Sequence, residues 1–310
     1  MFNRLISSKW TRLLFSVVLI FLAFRKVDII KILGEISAVP WWFVVAMVFY
    51  VILTSIMGGV RWSWLVLEET TMKDYWNFTR ATYLGGFYSL FFPSAVAGDM
   101  IKWLPLLKTY PELSKTKLAA SVIIDRVVGL SAFVVIGFAA LLSGKALGYV
   151  FPDMLLWLFG GLFGGVIIFF LVVFYFDFEG FYNKYFSRFK FLHKLVEVME
   201  ILYKGNRRRI RNCFLLSLIG EPFWMMPFWF YSLIFGAGIS LLQIFIFVPV
   251  IALTLVLPIS IAGFGARESL FLFFLAPLGH SPEKILLVST FGGLIGIINS
   301  LIGGLLILIK

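Results

Sequence analysis

Apolar residues in this chain gather in long runs, with polar residues confined to short intervals between them. The runs are about 15 to 25 residues long, enough at ~1.5 Å rise per residue to cross a hydrocarbon core of about 30 Å. Runs at 13–24, 118–142, 155–176, 212–235, 241–257 and 285–309 predict crossing helices. Another is bounded by Trp41 and Trp42 at one end and by Arg61, Trp62 and Trp64 at the other, as interfacial indoles and a snorkelling arginine require. In hydrocarbon every backbone polar group must be satisfied within the segment, and runs of this length fit helices, not barrel strands. The reading is an all-α polytopic integral membrane protein with about seven full spans, forming a single transmembrane domain over 1–310.

Three stretches break this pattern. Residues 75–92 are less apolar, carry Asn77 and Arg80, and run into the proline and glycine of 93–98, which reads as a re-entrant element over 75–102. A second broken element is expected at 258–279. Between spans, Phe178, Phe181, Tyr182, Tyr185, Phe189, Leu192, Leu195, Met199 and Leu202 recur at three- and four-residue spacing, with Lys184, Arg188, Lys194 and Lys204 opposite. That is an amphipathic helix over 178–204, suited to the membrane interface. With Arg207, Arg208, Arg209 and Arg211 behind it, the positive-inside rule puts the 177–211 segment in the cytoplasm. Lys102, Lys108, Lys115 and Lys117 then fall on the cytoplasmic side, and the loop near Lys145 and Asp153 outside. The N-terminus is inside if 75–92 does not cross and outside if it does.

Composition agrees with a bilayer as solvent. At 61% hydrophobic and 14% charged residues, with mean hydropathy +0.99, the chain cannot hide its apolar side chains in one water-soluble globule. Its net charge of +11 suits an anionic cytoplasmic leaflet, and no nucleic-acid module is recognisable. The single cysteine, Cys213, excludes an intramolecular disulfide. The first apolar run follows Arg4, Lys9 and Arg12 like a secretory signal, but Arg25 and Lys26 stand where a cleavage site would be, so it reads as a retained span. Small residues recur at Gly292, Gly296, Ser300 and Gly304, and at Gly160 and Gly164 beside Gly161 and Gly165, which permits close helix crossings within the chain or between copies.

Candidate chemistry lies in two distant segments with the same spacing: Pro93, Ala97, Gly98 and Lys102, and Pro258, Ala262, Gly263 and Arg267. Each is P-x-x-x-A-G-x-x-x-cation. Paired helix interruptions are a signature of transport sites, because a helix restarting after a break offers amide donors to an anion and the nearby cation completes a phosphate cradle. Pro93, Gly98, Pro258, Gly263 and Gly265 would be the breaks. Asp99, Asp125, Arg126, Arg267 and Glu268 sit within or beside apolar sequence, where an ionised group costs at least ~2.5 kcal/mol at the bilayer centre unless paired or hydrated. Either they neutralise one another to lock the bundle, for example Asp125 with Arg267, or they hold a substrate. Glu221 and Pro222 interrupt another span, as a proton or cation site or as the cap of a kinked helix start. Asn299 and Gln243 suit interhelical hydrogen bonds. His193 and His280 lack metal-ligand spacing, no catalytic signature is present, and no cofactor or metal is expected.

Three motifs, in this order and wide spacing, resemble the lysylphosphatidylglycerol-synthase transmembrane-domain, or flippase-like, family. They are Gly98-Asp99 with a cation three residues on, Asp125-Arg126 followed by Gly129-Leu130, and the run from Pro258 through Gly263, Phe264, Gly265, Ala266 and Arg267 to Glu268. The resemblance implies a membrane domain with re-entrant elements, associated in the aminoacyl-phospholipid synthases with moving the modified lipid between leaflets. The aminoacyltransferase domain of those synthases is not among these 310 residues. The family usually carries arginine where Lys102 stands; lysine keeps the charge and loses bidentate phosphate geometry. The first expectation is a lipid translocase of the cell membrane. In it Lys102, Arg126 and Arg267 hold a headgroup phosphate, and Asp99, Asp125 and Glu268 tune or pair them. The alternatives are a membrane enzyme acting on a polyprenyl-phosphate or phospholipid, and a non-transporting partner of a lipid-modifying synthase. Membrane lipids with anionic headgroups are the expected partners, with a homo-oligomer or a lipid-modifying enzyme as further candidates.

Overall fold

A computed structural model describes residues 29–91, 98, 100–176, 207–257, 260 and 263–308. The expected first span at 13–24 and the interfacial helix at 178–204 lie outside the described residues, as do Pro93, Asp99, His193 and Pro258. The described chain is helical. In order run α1 (Ile29–Ser37), α2 (Trp41–Val66), α3 (Met72–Ser89), α4 (Leu106–Thr109), α5 (Lys115–Ala146), α6 (Asp153–Tyr175), α7 (Arg207–Ile234), α8 (Leu241–Leu255), α9 (Ala266–Leu275) and α10 (Pro282–Leu308), with a short 3-10 turn, Ala276–Leu278, after α9.

Helices α2, α5, α6, α7 and α10 are long and apolar enough to cross a membrane. One face of α2, carrying Val45, Phe49, Leu53 and Ile56, is exposed, and α6 exposes Trp157 and Ile168. In a bilayer such faces meet lipid, so burial within the protein is not required of them. The sequence places a span at 241–257, but α8 stops at Leu255 after 15 residues, about 22 Å of helix and short of a ~30 Å core.

Local chemistry sets the helix ends. Thr71 and Asp74 form a capping box at α3, and Ser240 and Gln243 another at α8. Helix α7 differs from expectation. Glu221-Pro222 does not interrupt it, and the helix runs 28 residues through both Pro222 and Pro227. Prolines are tolerated inside such helices where neighbours re-satisfy the freed backbone groups, and here the flanking turns are packed, with Ser217, Met225, Pro227 and Phe228 buried.

Small residues allow close packing where helices cross. A Cβ on Gly59 would fall 2.6 Å from the Thr79 Cα, one on Gly303 2.1 Å from the Tyr83 carbonyl oxygen, and one on Gly98 1.9 Å from the Gly85 carbonyl oxygen. These contacts pin α3 between α2 and α10. Of the α10 series, Gly292 meets Phe228 of α7 and Gly304 meets Phe87 of α3, so these two serve internal packing, whereas Gly161, Gly164 and Gly165 of α6 meet nothing within 4 Å.

Buried apolar side chains form three clusters. The largest joins Phe43 and Met47 of α2 with Leu141 of α5, Phe228 and Tyr231 of α7, α8, Phe271 of α9 and Phe291 of α10. The others collect Leu65, Ile124, Val128 and Cys213, and Trp62, Phe78, Leu106 and Val122. Because the N-terminal part of α2 shares a cluster with the C-terminal part of α5, those helices run antiparallel. The polar network lies where the clusters border one another.

Candidate functional site

Arg61 of α2 is the hub of that network. Its Nε donates to Asp125 Oδ1 of α5 at 2.8 Å, and its Nη1 to Glu221 Oε1 of α7 at 2.8 Å and to Ser217 Oγ at 3.0 Å. Lys102 Nζ donates to the other Asp125 oxygen at 3.1 Å and lies 4.6 Å from the centre of the Trp62 ring, while the Trp62 indole donates to Ser121. The side chains of Arg61, Asp125 and Lys102 keep only 16%, 6% and 5% of their exposure. Charges so far from water persist only when paired and hydrogen-bonded, and the geometry here supplies both. Gly129 makes room for it: a Cβ there would stand 3.3 Å from both Arg61 terminal nitrogens and from Glu221 Oε1.

A second charged group stands at the start of α9. Gly263 and Gly265 have φ of +80° and +78°, a left-handed conformation that glycine adopts without Cβ strain. The chain turns there and restarts as helix. Glu268 Oε2 accepts the Gly265 amide at 2.7 Å, and Oε1 accepts from Arg267 Nη2 at 2.6 Å and Nε at 3.1 Å. Ser289 of α10 donates to the same Oε1 at 3.3 Å. The Arg267 guanidinium lies 5.4 Å from the Phe264 ring centre and against Gly293 of α10.

Two cavities open onto these groups. The larger, about 480 Å³, is lined by Arg61, Glu221 and Arg267, by Thr54, Ser55, Tyr83, Asn299 and Ser300, and by Gly58, Gly293 and Gly296. The smaller, about 310 Å³, is lined by Arg61, Asp125, Arg126, Glu221, Phe133 and Leu255. Arg61, Glu221 and Trp224 line both and form their common wall. Volumes of this size match those of small-molecule sites, about 300–1,000 Å³.

The structure thus sorts the residues singled out in the sequence. Arg267 borders the larger cavity, and Arg126 and Asp125 the smaller. Lys102 borders neither and braces Asp125. The pairing of Asp125 with Arg267 does not occur: Asp125 binds Arg61 and Lys102, and Arg267 binds its neighbour Glu268. At the start of α9 three of the amides already have acceptors. Glu268 takes the Gly265 amide, and the amides of Arg267 and Ser269 donate to the carbonyls of Gly263 and Gly265. An anion there would meet the Arg267 side chain instead. Gly98 packs against Gly85 and Ser89.

Sequence reasoning missed Arg61 and undervalued Glu221. Arg61 looked like an interfacial anchor because Trp62 and Trp64 follow it, yet Trp62 is fully buried. The available signal was that Asp125 and Glu221, both in apolar helices, each needed a cation. Asn299 does bridge helices, donating to Ser55 of α2 at 3.1 Å and accepting from Tyr83 of α3 at 3.3 Å. Gln243 instead caps its own helix and meets His280. Among the described residues no three His, Cys, Asp or Glu side chains gather to hold a metal ion.

Comparison with curated proteins and with solved structures finds no match. The long apolar helices make the protein a multi-pass membrane protein. The family model of the lysylphosphatidylglycerol synthase TM region matches residues 9–304, nearly the whole chain, and the protein belongs to that family.

Proposed function

We propose that the protein moves a phospholipid or a lipid-linked anionic molecule between the leaflets of the cell membrane. The observation that carries this reading is the pair of cation-bearing cavities that share the Arg61, Glu221 and Trp224 wall inside a lipid-facing helical bundle. Arg267 meets the headgroup phosphate in the larger cavity and Arg126 in the smaller. Arg61 lies between them and exchanges Glu221 for phosphate, so one anion replaces another and the guanidinium is never left bare in low dielectric. Asp125, braced by Lys102, holds Arg61 in position, and Glu268 does the same for Arg267. Acyl tails stay in the surrounding lipid.

In this reading about seven spans cross the membrane. The breaks around Pro93 and Gly98 and around Pro258, Gly263 and Gly265 form opposite gates of two re-entrant elements, with Asp99 beside the first. The basic 177–211 segment faces the cytoplasm by the positive-inside rule.

The test is dithionite quenching of fluorescent phospholipids in vesicles reconstituted with wild type and with Arg267→Ala, each checked for folding. Translocation predicts that wild type exposes inner-leaflet probe and the variant does not. Equal quenching by both sinks the assignment of Arg267. No quenching beyond protein-free vesicles, across anionic and zwitterionic probes, sinks translocation of these lipids.

A further inference from the structure

The wall of the larger cavity away from its charges is made of neutral hydrogen-bonding groups drawn from three helices. The Asn299 amide of α10 donates to the Ser55 hydroxyl of α2 and accepts from the Tyr83 hydroxyl of α3. Ser55 and Thr54 pass their own protons to the Val51 carbonyl. A carboxamide has two N–H donors and two lone pairs on its oxygen. Asn299 therefore keeps one of each, Tyr83, placed to reach Ser55 as well, keeps acceptor capacity, and Ser300 has no hydrogen-bond partner among the described residues. The lone carboxylate on this cavity, among the described residues, is Glu221, and Arg61 holds it at 2.8 Å. Nothing on this wall offers an ammonium group a counter-charge, while hydroxyls find both donors and acceptors.

Resting on the translocation reading, we infer that the lipid taken by this cavity carries a phosphate followed by an uncharged, hydroxyl-bearing headgroup, such as glycerol, inositol or a sugar. The phosphate lies toward Arg267 and the hydroxyls toward Asn299, Tyr83 and Ser55. Ammonium headgroups are disfavoured because, while the phosphate sits on Arg267, Glu221 stays held by Arg61 and this wall offers no other carboxylate among the described residues. Hydroxyl recognition is selective for a further reason: a headgroup lacking the hydroxyls makes fewer hydrogen bonds to this partly buried wall.

Two measurements test this on the full chain. In reconstituted vesicles, tail-labelled phosphatidylglycerol and phosphatidylinositol are expected to cross at least about tenfold faster than phosphatidylcholine and phosphatidylethanolamine, one lost hydrogen bond being worth up to about tenfold. Asn299→Ala and the more conservative Tyr83→Phe should each cut that preference about three- to tenfold. Native mass spectrometry of the detergent-purified protein with the same lipids reads binding without transport. Selective retention of hydroxyl-bearing lipids that is lost in Asn299→Ala supports the inference even where no probe crosses, an outcome that would overturn only translocation. Equal crossing or retention of hydroxyl and ammonium headgroups, or a preference untouched by both variants, overturns it.

Discussion

Gly293 is the seat of Arg267: a Cβ built on Gly293 would lie 2.1 Å from the arginine's Nη2 and 2.9 Å from its Cζ. The guanidinium can occupy its place only because that position on α10 has no side chain. Gly293→Ala is therefore expected to push Arg267 off Glu268 and reduce lipid movement to the level of Arg267→Ala. Gly296, one turn along and also on the cavity, meets nothing within 4 Å, so Gly296→Ala should retain near wild-type transport. Equal transport by the two glycine variants would contradict this.

Arg61 satisfies two carboxylates at once. Arg61→Ala strands Asp125 with Lys102 alone and leaves Glu221 without its closest cation, and breaking a buried pair in this way costs about 3–5 kcal/mol. Glu221→Gln retains a hydrogen-bond acceptor for Arg61 and should cost less. Thermal unfolding in detergent should rank wild type above Glu221→Gln, and Glu221→Gln above Arg61→Ala; a melting temperature for Arg61→Ala equal to wild type refutes the network's structural role.

Both oxygens of Glu268 accept hydrogen bonds, one from the Gly265 amide and the other from Arg267 and Ser289. Glu268→Gln must turn an NH2 group toward one of these donors. The expected loss is about 1–3 kcal/mol despite the near-identical shape, with the damage local to the turn before α9. Hydrogen exchange of the 263–275 backbone, compared with that of α5, reads it.

Acid and base sensitivity should come from Asp74 and Tyr110, which lie outside the long apolar helices. Burial pushes the Asp74 carboxyl up, but hydrogen bonds from Thr71 and Tyr110 outweigh it and hold the group below its ordinary value. Burial first, and the Asp74 charge in addition, push the Tyr110 phenol up to about 12, against an opposing hydrogen bond from Asn77. The depressed Asp74 value contributes stability above the unfolded value near ~3.9, and that contribution is lost as pH falls through the folded one. The raised Tyr110 value contributes stability below the unfolded value near ~10, lost as pH rises toward its folded value. Asp74→Asn should accordingly flatten the acid limb of a melting-temperature profile and Tyr110→Phe the alkaline limb; unchanged limbs would exclude both assignments.

Much of the bundle was legible in the sequence because a helix in lipid must be long, apolar and internally hydrogen-bonded, whatever it packs against. Trp41 marks the start of α2, and the apolar runs mark α5, α6 and α10. The site was less legible because its contacts join distant positions: Tyr83 meets Asn299 across 216 residues, and Asn299 meets Ser55 across 244. Arg61 was hidden by the tryptophans beside it, which mark an interface in one context and a buried ring in another. Pro222 was misleading because whether a proline breaks a membrane helix is decided by the neighbours that pack on it. Gly263 and Gly265, by contrast, lie two residues apart, and both adopt positive φ.

A partition built from Arg61, Glu221 and Trp224 has two faces but one set of side chains. An anion drawing Arg61 toward one compartment removes the guanidinium from the other, and the indole cannot swing into one without vacating the other. The compartments are then thermodynamically linked. By reciprocity, whatever factor a ligand in the first applies to affinity in the second, a ligand in the second applies to the first. With a negative sign for that coupling, the two compartments compete for a single charge.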